Sequence, residues 1–410
     1  MRSVVVRGVG ARRLREGYGF VYNKWLSFPE GEPGVGEYVR LVGVDGELLG
    51  CGVFESVGPV GVRVLSFKEC FSSLEEAVYE RIIQAFRVRE KLGYVDEGAY
   101  RLVNSDGDLF SGLIVDVYND VVVVQSSSQA VDAIMPVIVD TLASILGGDI
   151  SVYEKSVQRS RRDIGLGFVE KFHRGSKVET VISEGNSKFI VNVVEGQKTG
   201  FFLDQRDNRV KLEKYVKGGE KVLDLFSYTG GFGIHAANSG AKHVVFVEED
   251  PNAIAILRRN IKLNKLSSYE IYEGNVWSFL NKAIDKGEKY DIVIVDPPAF
   301  IQSREGFRKG YEAYRKLFQQ ASSLVAEEGI LFLSSCSFFL SKGQFLKLIH
   351  EAMFKHYDYA IVDVGRVSGD HVLRYIDKHL DYLKTAYVYV KKDKNMLNGN
   401  RKCSYFYGER

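Results

Sequence analysis

Four residues in the second half of the chain could do chemistry together. Asp224 lies in "VLDLFSYTGGFG", and Glu248 lies in "HVVFVEED" 24 residues later. An acid at the end of the second strand of an open α/β sheet can accept hydrogen bonds from the ribose hydroxyls of a nucleoside. Asp296 opens "DPPAF", where two prolines fix the loop and remove backbone donors. Cys336 follows the apolar run "GILFLSS" and is one of four cysteines in 410 residues. Its thiolate would be a nucleophile, although most free cysteines are small core residues. Cys51, in "LLGCGVF", reads as such a core residue, and Cys70 and Cys403 have no supporting partners.

These residues fall where strands should end. The runs "KVLDLFS" (221–227), "HVVFVEED" (243–250), "YDIVIVDPP" (290–298) and "GILFLSS" (329–335) alternate with helical stretches, notably 251–264 and 306–327. That alternation predicts a doubly wound parallel sheet, which binds ligands outside the carboxyl ends of its strands. Gly230 and Gly231 open the helix after the first strand and let the backbone approach a ligand closely. Their spacing is not GxGxxG, so a dinucleotide fingerprint is not met.

Upstream the pattern differs. Short Val-rich runs broken by glycine fill residues 1–68 and predict a small β barrel. Its basic residues Arg2, Arg7, Arg12, Arg13, Arg15 and Lys24 face only Glu16 before Glu30. They read either as a solvated surface or as a phosphate-facing patch. "SLEEAVYERIIQAFRVREKLG" (73–93) predicts an amphipathic helix capped by Ser73, with Glu76 three residues on. Strands resume at Tyr100, a helix is expected over 129–146, and further strands run to about residue 194. This second module carries a basic stretch with Lys155, Arg159, Arg161, Arg162, Lys171 and Arg174.

Asp224, Gly230, Gly231 and Glu248 resemble the S-adenosylmethionine site of class I methyltransferases. Asn275 stands where that class usually has an Asp at the adenine amino group, and its amide oxygen can still accept. Asp296 then faces the group to be methylated. A thiol beside a methyl donor has a use: addition to carbon 6 of cytosine turns the ring into an enamine whose carbon 5 can take the methyl group. Asp296 suits a contact to ring nitrogen N3.

At this level of detail the chain resembles the RNA 5-methylcytosine methyltransferases that carry an N-terminal PUA domain, a family with members acting on large-subunit ribosomal RNA. The resemblance rests on "GQKTGFFLDQRDNR" (196–209), "LDLFSYTGGFG", "DPPAF" and "SSCS" in the family's order, with "NSDGDLFSGLIVDVYNDVVVVQ" (104–125) upstream. It implies an α/β chain: a Rossmann-like class I methyltransferase sheet preceded by a PUA β barrel and a central α+β module. The corresponding divisions are a PUA-like RNA-binding domain over 1–70, a linker helix over 71–98, the central module over 99–194, the methyltransferase domain over 195–395 and a tail over 396–410.

The resemblance also implies that Thr199, Gly200, Phe201, Phe202, Asp204, Arg206 and Phe226 line the S-adenosylmethionine pocket and that Cys336 is the catalytic cysteine. Pro297, Pro298 and Phe300 would meet the base. Arg159, Arg161, Arg162 and Arg174 are the candidates for gripping the RNA backbone. A second cysteine that aids product release in many RNA cytosine methyltransferases is absent, since Pro298 and Ala299 follow Pro297. The family's Asp-His-Pro reads Asp370-His371-Val372, so His371 stays open between a structural and a functional role.

Composition sets bounds on this reading. Net charge is only +2, so a nucleic-acid partner must be argued from local patches. No CxxC pair is present, which argues against a disulfide framework and a structural zinc site; no metal is expected. No apolar run reaches a membrane span, and a reducing cytoplasm is the expected location. Few Cys and Met with many Val, Lys, Glu and Arg match thermophile usage. Family members are often dimers, so a homodimer is open. Two other functions stay open as well. One is amino methylation of guanine N2, with Cys336 a bystander. The other is an RNA-binding protein with a vestigial methyltransferase domain.

Overall fold

The computed structural model describes residues 1–392; Cys403 and the tail expected over 396–410 lie outside them. The chain divides into two compact units: Met1–Asp207 with Val367–Asp381, and Asn208–Arg366 with the residues from Tyr382 onward. Segments 195–207 and 367–381 therefore join the first unit, whereas the sequence pattern placed them with the methyltransferase sheet. Long-range hydrogen bonds explain this. The Asp204 carbonyl accepts the Ser368 N–H at 2.8 Å, Asp207 accepts the Gly369 N–H at 2.8 Å, and Asp370 accepts the Arg101 N–H at 2.8 Å.

The first unit begins with β1 (Ser3–Val6), α1 (Val9–Arg15), β2 (Phe20–Tyr22), β3 (Leu26–Ser27), β4 (Tyr38–Gly43), β5 (Leu48–Phe54) and β6 (Val60–Phe67). The strands pair in the order β2-β6-β5-β4-β1-β3. Alternate valines and leucines, such as Val4, Val6, Val39, Leu41, Val62 and Val64, point into one core. Cys51 of β5 is joined by a disulfide to Cys70, with Cα atoms 5.3 Å apart. This corrects two expectations, that Cys51 is a free core thiol and that Cys70 has no partner. The antiparallel register sets Cys51 opposite Ser66, and the chain leaving β6 brings Cys70 back to it. Among intracellular proteins such bonds persist chiefly in hyperthermophiles.

α2 (Leu74–Lys91) starts as expected, with the Ser73 hydroxyl accepting the Glu76 N–H at 3.2 Å. It is more than a linker. Its apolar face, with Ala77, Val78, Ile82 and Ala85, packs into the core of the sheet that follows. That sheet comprises β7 (Ala99–Asn104), β8 (Leu113–Tyr118), β9 (Val121–Ser126), β10 (Ser151–Ser156) and β11 (Val169–Arg174), in the order β11-β10-β9-β8-β7. β9 and β10 are parallel, joined through α3 (Gln129–Ala133) and α4 (Met135–Leu146). The single helix expected here breaks at Ile134, because Pro136 fits only the first turn of a new helix. A short α5 (Arg159–Asp163) follows β10, and β12 (Glu179–Glu184) and β13 (Ser187–Asn192) form a hairpin. α6 (Arg206–Leu212) leads out of this unit.

The second unit is built on β14 (Lys221–Leu225), α7 (Gly231–Asn238), β15 (His243–Glu248), α8 (Pro251–Leu263), β16 (Tyr269–Glu273), α9 (Val276–Asp285), β17 (Tyr290–Val295), α10 (Phe307–Leu324), β18 (Val325–Ser335), α11 (Lys342–Met353), β19 (Tyr357–Gly365) and β20 (Lys384–Lys392). Its seven strands run β16-β15-β14-β17-β18-β20-β19. The first five are parallel, and β20 is antiparallel to both of its neighbours. The four apolar runs became β15, β14, β17 and β18. β16 and β19 carry no such run, because neither has a fully buried residue: their side chains are exposed or half-buried. The chain winds outward from β14 to β16, then returns to β17 on the other side of β14. The switch point thus lies between β14 and β17, where a ligand crevice is expected. No helix of the described residues is long and apolar enough to cross a membrane.

Candidate active site

At the switch point, a buried acid stands one residue before the end of β14. Asp224 is 1% exposed, and its Oδ2 accepts the Gly233 N–H from the first turn of α7 at 2.8 Å. Burial pushes its carboxyl up to about 8, against the pull of that N–H and of Arg209; Asp296 and Glu248 push the same way as burial. Gly233 itself is required. A Cβ there would overlap the Phe246 ring and come within 3.0 Å of Asp224 Oδ2. The connecting loop holds Phe226 and Tyr228 at φ 61° and 49°, and Gly230 at φ 89°. Such a concentration of left-handed residues marks a loop whose shape is imposed by its surroundings.

Glu248 shapes that loop from the neighbouring strand. Its Oε2 accepts the Tyr228 N–H at 2.7 Å, and its Oε1 accepts the N–H groups of Glu249 and Asp250, both at 2.9 Å. A carboxylate offers about four lone-pair sites, so capacity for a ribose hydroxyl remains. Asn275 caps α9: its amide oxygen accepts the Trp277 N–H at 3.0 Å, and its amide nitrogen donates to Glu249 at 3.0 Å. The second lone pair of that oxygen is compatible with an adenine amino group. Backbone held open by glycine, flanked by acceptors on two strand ends, fits a nucleoside-bearing cofactor.

On the other side of the switch point, β17 and β18 pair in parallel with Val295 beside Leu333. The next residues on each strand carry the candidate chemistry. The Ser334 hydroxyl donates to Asp296 Oδ1. Cys336, two residues further, carries a half-buried thiol. Pro297 is buried, Pro298 exposed and Phe300 half-buried. Phe300 packs on Tyr314, with centroids 4.7 Å apart, and lies stacked near Trp277 at 6.5 Å.

Tyr314 stands in no motif that marks it. It is completely buried on α10, and its hydroxyl lies 2.9 Å from Ser337 Oγ and 3.4 Å from the Pro298 carbonyl, while accepting the Phe300 N–H at 3.4 Å. Ser337 Oγ also accepts the Ile301 N–H at 3.1 Å. One phenol thus ties the Asp-Pro-Pro loop to the Cys336 loop. Burial, with the charge of Cys336 behind it, pushes that phenol up to about 12. Lys384, at the start of β20, was missed too. A lysine entering a run as apolar as "TAYVYV" is the signal that could have found it.

The remaining expected site residues lie in the first unit. Thr199 is buried, its hydroxyl 2.7 Å from Asp116 Oδ2 and 2.8 Å from the Tyr118 hydroxyl. Gly200 has φ 128°, and Phe201 is buried against Phe189 at 5.1 Å. Lys198 sits 4.5 Å over the Phe202 ring and donates to Asp204 at 3.1 Å. Arg206 is 1% exposed, 3.6 Å from Glu184, 3.5 Å from Glu97 and 5.2 Å from the centre of the Tyr94 ring. His371 is buried on Asp370 at 2.7 Å, which gives it a structural partner; Asp370 is held down to about 2 against its own burial, His371 and Arg206 providing the opposing pull.

The basic stretch splits in two. Arg161 is 1% exposed and gives a two-pronged pair to Asp132, both bonds 2.9 Å, with further bonds to the Ser126 and Gly167 carbonyls. This corrects its reading as an RNA-gripping residue: its donors are spent inside the fold. Lys155 is likewise buried on the carbonyls of Val193, Val194 and Gly196. Arg159, Arg162 and Arg174 are exposed. On the barrel, Arg2 pairs with Glu37 and Arg15 with Asp45 and Glu47. Arg13 and Lys24 instead lie over Tyr22 and Trp25, 5.1 to 6.0 Å from the ring centres.

A parallel sheet with one antiparallel strand beside its edge, and acids at both sides of the switch point, defines the second unit as a class I methyltransferase, the fold whose methyl donor is S-adenosylmethionine. Comparison with known proteins carries this further. A PUA-like domain family matches residues 4–67, and a family described as conserved hypothetical protein 95 matches 210–332. The crystal structure of SMU.776, assigned as a methyltransferase and complexed with SAH, aligns with a TM-score of 0.77 and 24% identity over 95% of this chain and 100% of that one. A Methanocaldococcus jannaschii protein with the provisional name ribosomal RNA large subunit methyltransferase MJ1653 is 39% identical over 87% of this chain and 90% of its own length. Ribosomal RNA large subunit methyltransferase I of Aliivibrio fischeri (strain MJ11) is 31% identical over 88% and 92%. The chain belongs to this family of ribosomal RNA large subunit methyltransferases.

Proposed function

We propose that this protein methylates carbon 5 of a cytosine in large-subunit ribosomal RNA, through a covalent bond between Cys336 and the base. The observation that carries the reading is the half-buried thiol of Cys336 just past the strand end next to Asp296, with one phenol bracing both loops. S-adenosylmethionine, when bound, supplies an electrophilic methyl group. Asp224, Glu248 and Asn275 line the end of the sheet where its nucleoside would lie, and Gly230 and Gly231 open the backbone beside them.

Cys336 as thiolate forms a bond to carbon 6, and the ring electrons move toward carbon 5. Asp296 holds N3 through a proton, so the developing charge on the ring is neutralised. Carbon 5 then takes the methyl group as the carbon–sulfur bond of the donor breaks. A base removes the proton from carbon 5, the carbon 6–sulfur bond breaks, and Cys336 leaves as thiolate. The RNA would be held by Arg159, Arg162 and Arg174, and by the Arg13–Lys24 surface, where rings beside cations suit unpaired bases. A stacked target must be flipped out to reach the thiol. A ribosomal substrate would place this work in the cytoplasm.

The test uses RNA substituted with 5-fluorocytosine, which cannot lose fluorine as a proton. With S-adenosylmethionine, a denaturant-stable protein–RNA band is expected, and it should vanish in Cys336→Ala. Methyl transfer that survives in Cys336→Ala without any band would overturn the reading in favour of amino methylation.

A further inference from the structure

A nucleophilic thiol needs a reason to be a thiolate, since an unperturbed one has a pKa of about 8.5. The second unit puts a buried cation at that point. Lys384 is 5% exposed and pairs with Ser335 across β18 and β20. Its ammonium turns back along the chain and donates to the carbonyls of Ser337 and Tyr382, both at 2.6 Å. The ammonium is therefore bonded to the residue directly after Cys336 and stands on the strand directly beside it. A buried lysine is unusual, and packing alone would be served by an apolar residue like Ala386, Val388 and Val390, which fill the core side of the same strand.

We propose that Lys384 holds Cys336 in its thiolate form, making it a positioning residue for the nucleophile. An ammonium near a thiol favours the anion, and low surrounding polarity strengthens the effect. The other titratable groups facing Cys336 act differently. Asp296, just past the end of β17, would oppose the thiolate when ionised, and the Ser334 hydroxyl that donates to it favours that ionised form. Tyr314, from α10, stays a neutral phenol whose hydroxyl is engaged with Ser337. Lys384 is the charge that balances the site from β20. The inference rests on Cys336 as the nucleophile, but its test needs no RNA.

The experiment follows the rate of iodoacetamide alkylation of Cys336 against pH, in full-length protein carrying Cys403→Ser. Cys336→Ala should abolish the signal. The titration midpoint is expected below the ordinary thiol value and to rise by about one pH unit or more in Lys384→Met. Lys384→Arg should keep the low midpoint. Lys384→Gln retains donors for the two carbonyls but not the charge, so it decides the matter if the Met variant does not fold. An unmoved midpoint in a folded Lys384→Gln or Lys384→Met protein would overturn the proposal and leave Lys384 a structural tie. A midpoint that moves while 5-fluorocytosine RNA gives no adduct would uphold it and sink only the cytosine reading.

Discussion

Asp224 gives the second unit a pH dependence that can be calculated and removed. Its carboxyl is 1% exposed and lies at about 8 in the folded chain, against an ordinary 3.8. Burial is the largest cause. Between these two values the folded state holds a proton that the unfolded state has released. The folded state therefore binds more protons, and stability falls as pH rises, by about 1.4 kcal/mol per unit for one such group. Going from pH 5.5 to 7.5 should cost up to about 3 kcal/mol through this residue alone. Asp224→Asn removes the titration but keeps an amide oxygen to accept the Gly233 N–H. The assay is equilibrium urea unfolding of the ligand-free protein and the variant at both pH values. The stability difference, variant minus parent, should grow by about 2–3 kcal/mol between them. A difference that stays constant with pH would refute the reasoning and mean that Asp224 is ionised, with water or a neighbouring cation satisfying it.

Two further outcomes test the division of labour. Replacing Arg159, Arg162 and Arg174 together with Gln should weaken RNA binding and flatten its salt dependence by about two to three counterions, whereas Arg161→Met should leave that slope alone and destabilise the first unit by about 3 kcal/mol; salt titrations of RNA affinity and urea melts separate the two. Tyr314→Phe keeps the ring against Phe300 but unties the two loops. With roughly 1 kcal/mol per hydrogen bond lost and two loop-bracing bonds removed, single-turnover methyl transfer should slow by about 30-fold while calorimetric S-adenosylmethionine affinity stays the same; an equal loss in both would contradict a loop-bracing role.

The sequence by itself determined what local pattern can carry. Apolar runs of strand length bounded by helices specified β14, β15, β17 and β18, and so put Asp224, Glu248, Asp296 and Cys336 at strand ends on one side of a sheet. Ser73 with Glu76 marked the start of α2, because a cap is satisfied within one turn. Tertiary structure decided which polar groups face each other across the chain. Arg161 and Arg162 are neighbours in one basic run, yet Asp132, 29 residues away, draws the first inside and leaves the second in water. The Cys51–Cys70 bond depends on the register of β5 and β6, which no cysteine count reveals. Tyr314 and Lys384 reach the Cys336 loop from an adjoining helix and an antiparallel strand, 22 and 48 residues away in sequence. Periodicity records which face of an element is buried. It does not record what that face is buried against, and the chemistry around a nucleophile is set by the second of these.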